Sequence, residues 1–169
     1  KSRSRGLGDV YKRQMKWLMK SELDVYPWSQ LLEDGSTHWD GVRNYQARNF
    51  MRDQMKVGDL ILYYHSNCKP PHVAGVARVI KRGYPDHTSW DPASKYFDAK
   101  STPEIPRWFM VDIEPVTDMV PVPLDSMRQN PALDGMPLLA RGQRLSVQPV
   151  DDIYFNEICT MGGLDPDQI

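Results

Sequence analysis

The sequence predicts an α+β domain built on a small, curved mixed sheet or partly open barrel, with short helices around it. Three observations carry that expectation. Five strand-like runs are separated by short helical patterns and long loops. The strands and helices do not alternate with the regular spacing of βαβ units. No internal repeat or low-complexity tract runs through the chain.

The elements follow in order. Met15–Lys20 has mixed alternation and reads as a short strand. Ser21-Glu22-Leu23-Asp24 turns, and Pro27 suits the first position of a helix that runs through Leu31 and Leu32 to Gly35. A second helix begins at Asn44, a plausible N-cap, and stops near Met55. Leu60–His65 and Val73–Ile80 are apolar strands, joined by a loop rich in turn residues, and Gly75 marks a bulge or a close approach. Residues 83–106 form a long surface excursion. Trp108–Ile113 is a third clear strand, and a short helix lies around Leu124 to Gln129. Leu145–Gln148 is a final strand, and a closing helix capped by Asp151 or Asp152 ends at Gly162-Gly163.

Composition narrows the function classes. With 169 residues, 40% hydrophobic and 25% charged, the chain has the make-up of one globular domain with a sizeable core. Met15 looks like the natural start, so residues 1–14 read as a non-native or disordered extension and residues 15–165 as the single domain. No apolar run approaches the roughly 20 residues of a membrane span. The two cysteines, Cys68 and Cys159, make no disulfide framework, and the four histidines lack metal-ligand spacing. The expectation is a cytoplasmic protein, nucleoid-associated if bacterial, with no cofactor, no metal and no membrane partner. Oligomeric state is not legible. The first fourteen residues hold five Lys/Arg against one Asp, so a chain of net charge −1 leaves a body of about −5. Such a body is poorly suited to sequence-blind binding of phosphate backbones.

One stretch combines chemistry that neither core nor surface requires: Trp39-Asp40-Gly41-Val42-Arg43-Asn44-Tyr45-Gln46-Ala47-Arg48-Asn49. Trp39 offers a flat face, Gly41 permits close backbone approach, and Asn44 carries both a donor and an acceptor. The stretch reads either as one wall of a pocket for a flat polar ligand or as a Trp-anchored turn that plugs the core.

Five separated runs, WLMKSELDVYPWSQL, the segment Ser36–Asn49, MKVGDLILYYHSN, PRWFMVDIEPV and RLSVQPV, together resemble the EVE domain family from about Met15 to Gly162. The resemblance implies a PUA-like pseudo-barrel with a pocket for a modified base, such as a modified cytosine flipped out of DNA or a modified RNA base. One departure is visible: the family usually has Ser-Glu-Pro where this chain has Ser21-Glu22-Leu23, which frees φ at position 23 and restores an N–H.

A flipped base needs aromatic faces and polar groups that match its edge. The stacking candidates are Trp28, Trp39 and Tyr64. Edge candidates are Ser21, Glu22, Asn44, His65, Ser66, Ser146 and Gln148, with Val42 in the same lining. Arg43, Arg48 and Arg144 are the phosphate-contact candidates. Bland roles compete: Trp17 and Trp108 read as core, Trp28 as a staple for the first helix, and His65 as a structural histidine. Ser146 and Gln148 are two apart on a strand, so both or neither should reach the pocket. No catalytic residue is assigned. The enzyme alternative is an ASCH-like hydrolase acting on a modified nucleoside through Lys20, Ser21 and Glu22, although strand alternation would separate Ser21 from the other two unless the turn intervenes. A pairing of Cys68 with His65 or His72 as nucleophile and base is the weaker enzyme idea. A structured-RNA-binding module is the remaining alternative.

Overall fold

The computed structural model of the chain describes residues 14–169, so the extension read over residues 1–14 lies, apart from Gln14, outside the described residues. Among these residues, six strands form one open mixed sheet: β1 (Lys16–Glu22), β2 (Thr37–His38), β3 (Leu60–Ser66), β4 (His72–Pro85), β5 (Phe109–Pro123) and β6 (Val147–Val150), in the order β2-β5-β4-β3-β1-β6. β1 runs parallel to β3 and the other pairs are antiparallel. Among the described residues, four short α-helices accompany the sheet: α1 (Trp28–Asp34), α2 (Tyr45–Asn49), α3 (Leu124–Arg128) and α4 (Asp152–Met161).

The two-residue period of the central strands sorts the core into two layers. Trp17, Met19, Ile61 and Tyr63 face one side, where Trp28, Leu31, Trp39, Met51 and Met55 pack. Leu18, Leu60, Leu62 and Tyr64 face the other, against Met127, Leu133, Phe155 and Ile158. The buried Asp59 ties the start of β1 to the turn before β3, accepting from Trp17 Nε1 at 2.9 Å and from the Lys56 N–H at 2.9 Å.

Several elements differ from their sequence reading. β4 spans 14 residues and β5 spans 15, well beyond the expected runs. Three prolines of β5, Pro115, Pro121 and Pro123, lie past Ile113, where β2 stops pairing and β5 becomes an edge, the setting in which a sheet tolerates proline. The helix begun at Asn44 changes to π geometry over Phe50–Gln54, closing with Met55 N–H to Phe50 O at 2.9 Å. Gly75 permits a close approach: a Cβ there would run into the Trp28 ring. The excursion at 83–106 is partly interior. Its Asp86, Ser89 and Ser101 are buried, and Ser89 Oγ meets Asp86 O at 2.7 Å and Ser101 Oγ at 2.9 Å.

Candidate functional site

The end of β1, the segment from β2 to Arg43 and the folded excursion enclose a cavity of ≈ 720 Å³. Lys20, Ser21 and Glu22 form one side with Ser146. Trp39 to Arg43 form a second, and Lys95 and Tyr96 close a third.

Trp39 anchors the second side. Its N–H donates to Val111 O at 2.8 Å, the residue is 9% exposed, and its ring meets Tyr63 edge-on at 5.4 Å. The chain then turns at Gly41, whose φ of 80° lies in the left-handed region. That turn lets the Gly41 N–H donate to Asp86 Oδ2 at 2.9 Å. Arg43 fastens the same segment to the excursion. Its NH1 donates to Asp86 Oδ2 at 3.0 Å, and its Nε and NH2 donate to Tyr96 O at 3.0 and 2.7 Å. Burial pushes the Asp86 carboxyl up, but the Thr88 hydroxyl, the Gly41 N–H and Arg43 outweigh it and hold the group below its usual value. Asp40 goes the other way, raised first by burial and then by the neighbouring Asp86 charge.

Across the cavity, Ser21 Oγ donates to Tyr26 O at 2.9 Å, and Tyr63 OH donates to the same carbonyl at 2.6 Å. Lys20 Nζ donates to Gln143 O at 3.1 Å, and burial lowers its pKa. Glu22 Oε1 accepts from Asn67 Nδ2 at 2.6 Å. A second, shallower hollow of ≈ 570 Å³ adjoins the first, sharing Lys20, Glu22 and Ser146 and adding Ser66, Asn67, Gln143 and Arg144.

Of the residues singled out in the sequence, Lys20, Ser21, Glu22, Trp39, Val42, Arg43 and Ser146 line the cavity, while Ser66 and Arg144 line the adjoining hollow. The others lie elsewhere. Trp28 is buried beneath Gly75 and donates Nε1–H to Asp118 Oδ1 at 2.6 Å, stapling α1 to the sheet. Asn44 caps α2, its Oδ1 accepting from the Ala47 N–H at 3.0 Å. Tyr64 faces the opposite layer because it is one residue out of phase with Tyr63. The buried His65 accepts the Trp28 N–H on Nε2 at 3.2 Å. Arg48 lies over the Tyr45 ring at 4.8 Å and donates to Arg107 O at 2.9 Å. Gln148 is buried and donates to Leu145 O at 3.0 Å. The expectation that Ser146 and Gln148 reach the pocket together fails, because β6 begins at Val147 and Ser146 lies in the bend before the alternation starts.

Sequence reasoning gave no site role to Val25, Tyr26, Thr37, His38, Asp40, Lys95 and Tyr96, which also line the cavity. Gly41 held a usable signal, because a glycine turn next to a tryptophan implies close packing by something. Its partner, the Tyr96 ring, arrives from an excursion with no local mark.

The Ser21 hydroxyl spends its proton on a carbonyl, and among the described residues no base side chain is hydrogen-bonded to it. Cys68 Sγ lies 4.0 Å from His72 Nδ1, but that nitrogen meets Pro70 O at 2.8 Å and so carries a proton, which leaves it unable to take one from the thiol. Neither residue lines the cavity.

The EVE domain family model matches residues 15–161. Human thymocyte nuclear protein 1 is 39% identical over 173 aligned residues, covering 89% of this chain and 75% of that protein. The crystal structure of a Pseudomonas syringae protein is 44% identical with a TM-score of 0.82, covering 86% of this chain and 98% of the other. The crystal structure of the human THYN1 protein in complex with 5-methylcytosine-containing DNA is 36% identical with a TM-score of 0.83, covering 90% of this chain and all of that one (100%). On the family match and these identities, the chain belongs to the EVE domain family.

Proposed function

We propose that this protein is a non-catalytic reader of modified cytosine in DNA, and that the base turns out of the duplex into the cavity beside Trp39. The observation that carries the reading is the cavity itself. It sets Trp39 among the Ser21 hydroxyl, two carboxylates and three cationic side chains, Lys20, Arg43 and Lys95. Its ≈ 720 Å³ lies within the usual range of roughly 300–1,000 Å³ for small-molecule pockets. The human relative crystallised with 5-methylcytosine-containing DNA supports the choice of ligand, because it shares the fold over nearly its whole length.

Magnitudes favour a pocket with a polar edge over stacking alone. A base stacked on one aromatic ring gains about 1–3 kcal/mol, and extrusion from a duplex costs a few kcal/mol. The edge hydrogen bonds then decide whether binding is favourable. A net-negative body also keeps sequence-blind binding weak, so discrimination rests on the base.

The test is fluorescence anisotropy with labelled duplexes that differ at one cytosine. The protein should bind the 5-methylcytosine duplex more tightly than the unmodified one, and Trp39→Ala should abolish the difference. Equal affinity for both duplexes, unchanged by Trp39→Ala, rules the reading out. Tighter binding to the equivalent modified RNA would reassign the substrate to RNA.

A further inference from the structure

A pocket that accepts 5-methylcytosine faces a specific chemical problem. Thymine carries the same methyl group at the same ring position, so the two bases differ only at the polar edge. Cytosine presents an N4 amino donor there, whereas thymine presents an O4 acceptor. The selecting group must therefore accept a hydrogen bond at that edge and offer none, as an ionised carboxylate does.

The cavity offers two carboxylates, and their surroundings differ. Glu22 is already engaged, with Oε1 accepting from Asn67 Nδ2 at 2.6 Å. Asp40 follows the Trp39 ring directly in the chain and lines the same wall, with 31% of its side chain exposed. Among the described residues no neighbouring side chain donates a hydrogen bond to its carboxylate, and His38 Nε2 stands 3.8 Å away. The Asp86 carboxylate beside it is fully buried and satisfied by Gly41, Arg43 and Thr88, so it contributes negative charge and no donor. Asp40 is thus a partly desolvated acceptor with spare capacity next to the aromatic wall.

The geometry points to Asp40 as the residue that accepts the N4 amino hydrogen of the bound cytosine ring and thereby excludes thymine. With thymine in the same pose, O4 would face the carboxylate and two acceptors would meet in a partly desolvated space. Its raised pKa, caused by burial, then by Asp86, and opposed by His38 and His87, agrees with a carboxylate short of compensating donors. A single base-edge contact of this kind gives discrimination of about 5- to 150-fold. The inference rests on the base-reading proposal, but it concerns cytosine against thymine, whereas that proposal concerns methylated against unmethylated cytosine.

The experiment measures affinity of the full chain for short single-stranded oligonucleotides carrying 5-methylcytosine, cytosine or thymine at one position, which removes the cost of opening a duplex. The wild type should prefer 5-methylcytosine to thymine by about 5- to 150-fold. Asp40→Asn replaces the acceptor with an amide that can turn either face to the base, and should bring the two within about threefold while keeping the preference for 5-methylcytosine over cytosine. Asp40→Ser serves as a second variant with the same expected loss. If both variants still reject thymine as the wild type does, or if the wild type does not reject it, the assignment is wrong. If cytosine and 5-methylcytosine bind equally while thymine is rejected through Asp40, the edge assignment stands and the methyl-reading proposal falls.

Discussion

Gly41→Ala isolates the turn on which the cavity depends. At φ 80° an alanine pays about 1–2 kcal/mol for left-handed backbone. Its Cβ would also lie 2.6 Å from Tyr96 Cζ. The contact is with the outer end of a half-buried ring, which can swing away, so the packing penalty falls at the low end of overpacking costs, about 1 kcal/mol. Together these give about 2–3 kcal/mol, or a fall in Tm of about 4–12 °C for a domain of this size. Thermal and urea unfolding measure the loss, and a double-mutant cycle with Tyr96→Ala separates its two parts. In the Tyr96→Ala background Gly41→Ala should cost only the backbone portion. A cost below about 0.5 kcal/mol in the wild-type background refutes the left-handed requirement. An unchanged cost in the Tyr96→Ala background refutes the packing of the excursion against the turn.

Other perturbations separate scaffold from site. Gly75→Ala should destabilise by about 1–3 kcal/mol by driving a methyl into the Trp28 ring, measured by urea unfolding, with DNA affinity of the folded protein unchanged. His65 predicts a pH trend. Burial, then the nearby His72, lower its pKa below the ordinary 6.5, and the Ser21 backbone opposes this, so the folded state holds fewer protons than the unfolded chain. Its contribution to stability is present above pH 6.5 and is lost as pH falls through the depressed folded value; His65→Gln should flatten urea midpoints compared across that window. Lys20→Gln and Arg144→Gln should each weaken binding to methylated and unmethylated duplexes alike and reduce the log–log salt slope by about 0.9, read by anisotropy across a salt series.

The sequence was most informative where a residue's role is local. Asn44 capping α2, Pro27 opening α1, Gly35 closing it and Trp17 entering the core all follow from positions within a few residues, and each appears in the structure. The β1 and β3 runs were legible for the same reason. The site was half legible. Trp39, Val42 and Arg43 stand in one conspicuous stretch, whereas Tyr64 was chosen over Tyr63 because sequence alone does not fix which phase of an all-apolar strand faces the site. Lys95 and Tyr96 reach the cavity through Arg43 and Asp86, bonds that join residues more than forty positions apart and leave no periodic trace. The lengths of β4 and β5 were hidden too, since bulges and edge prolines break the alternation that marks a strand.

The central claim is that one modified cytosine leaves the duplex and enters the cavity beside Trp39. A crystal structure of this chain with a duplex containing a single 5-methylcytosine tests it most directly. The account predicts that base in the cavity, with its ring against Trp39 and its amino edge at Asp40. A duplex with the methylated base still stacked, gripped through its phosphates while the cavity holds only solvent, would contradict it.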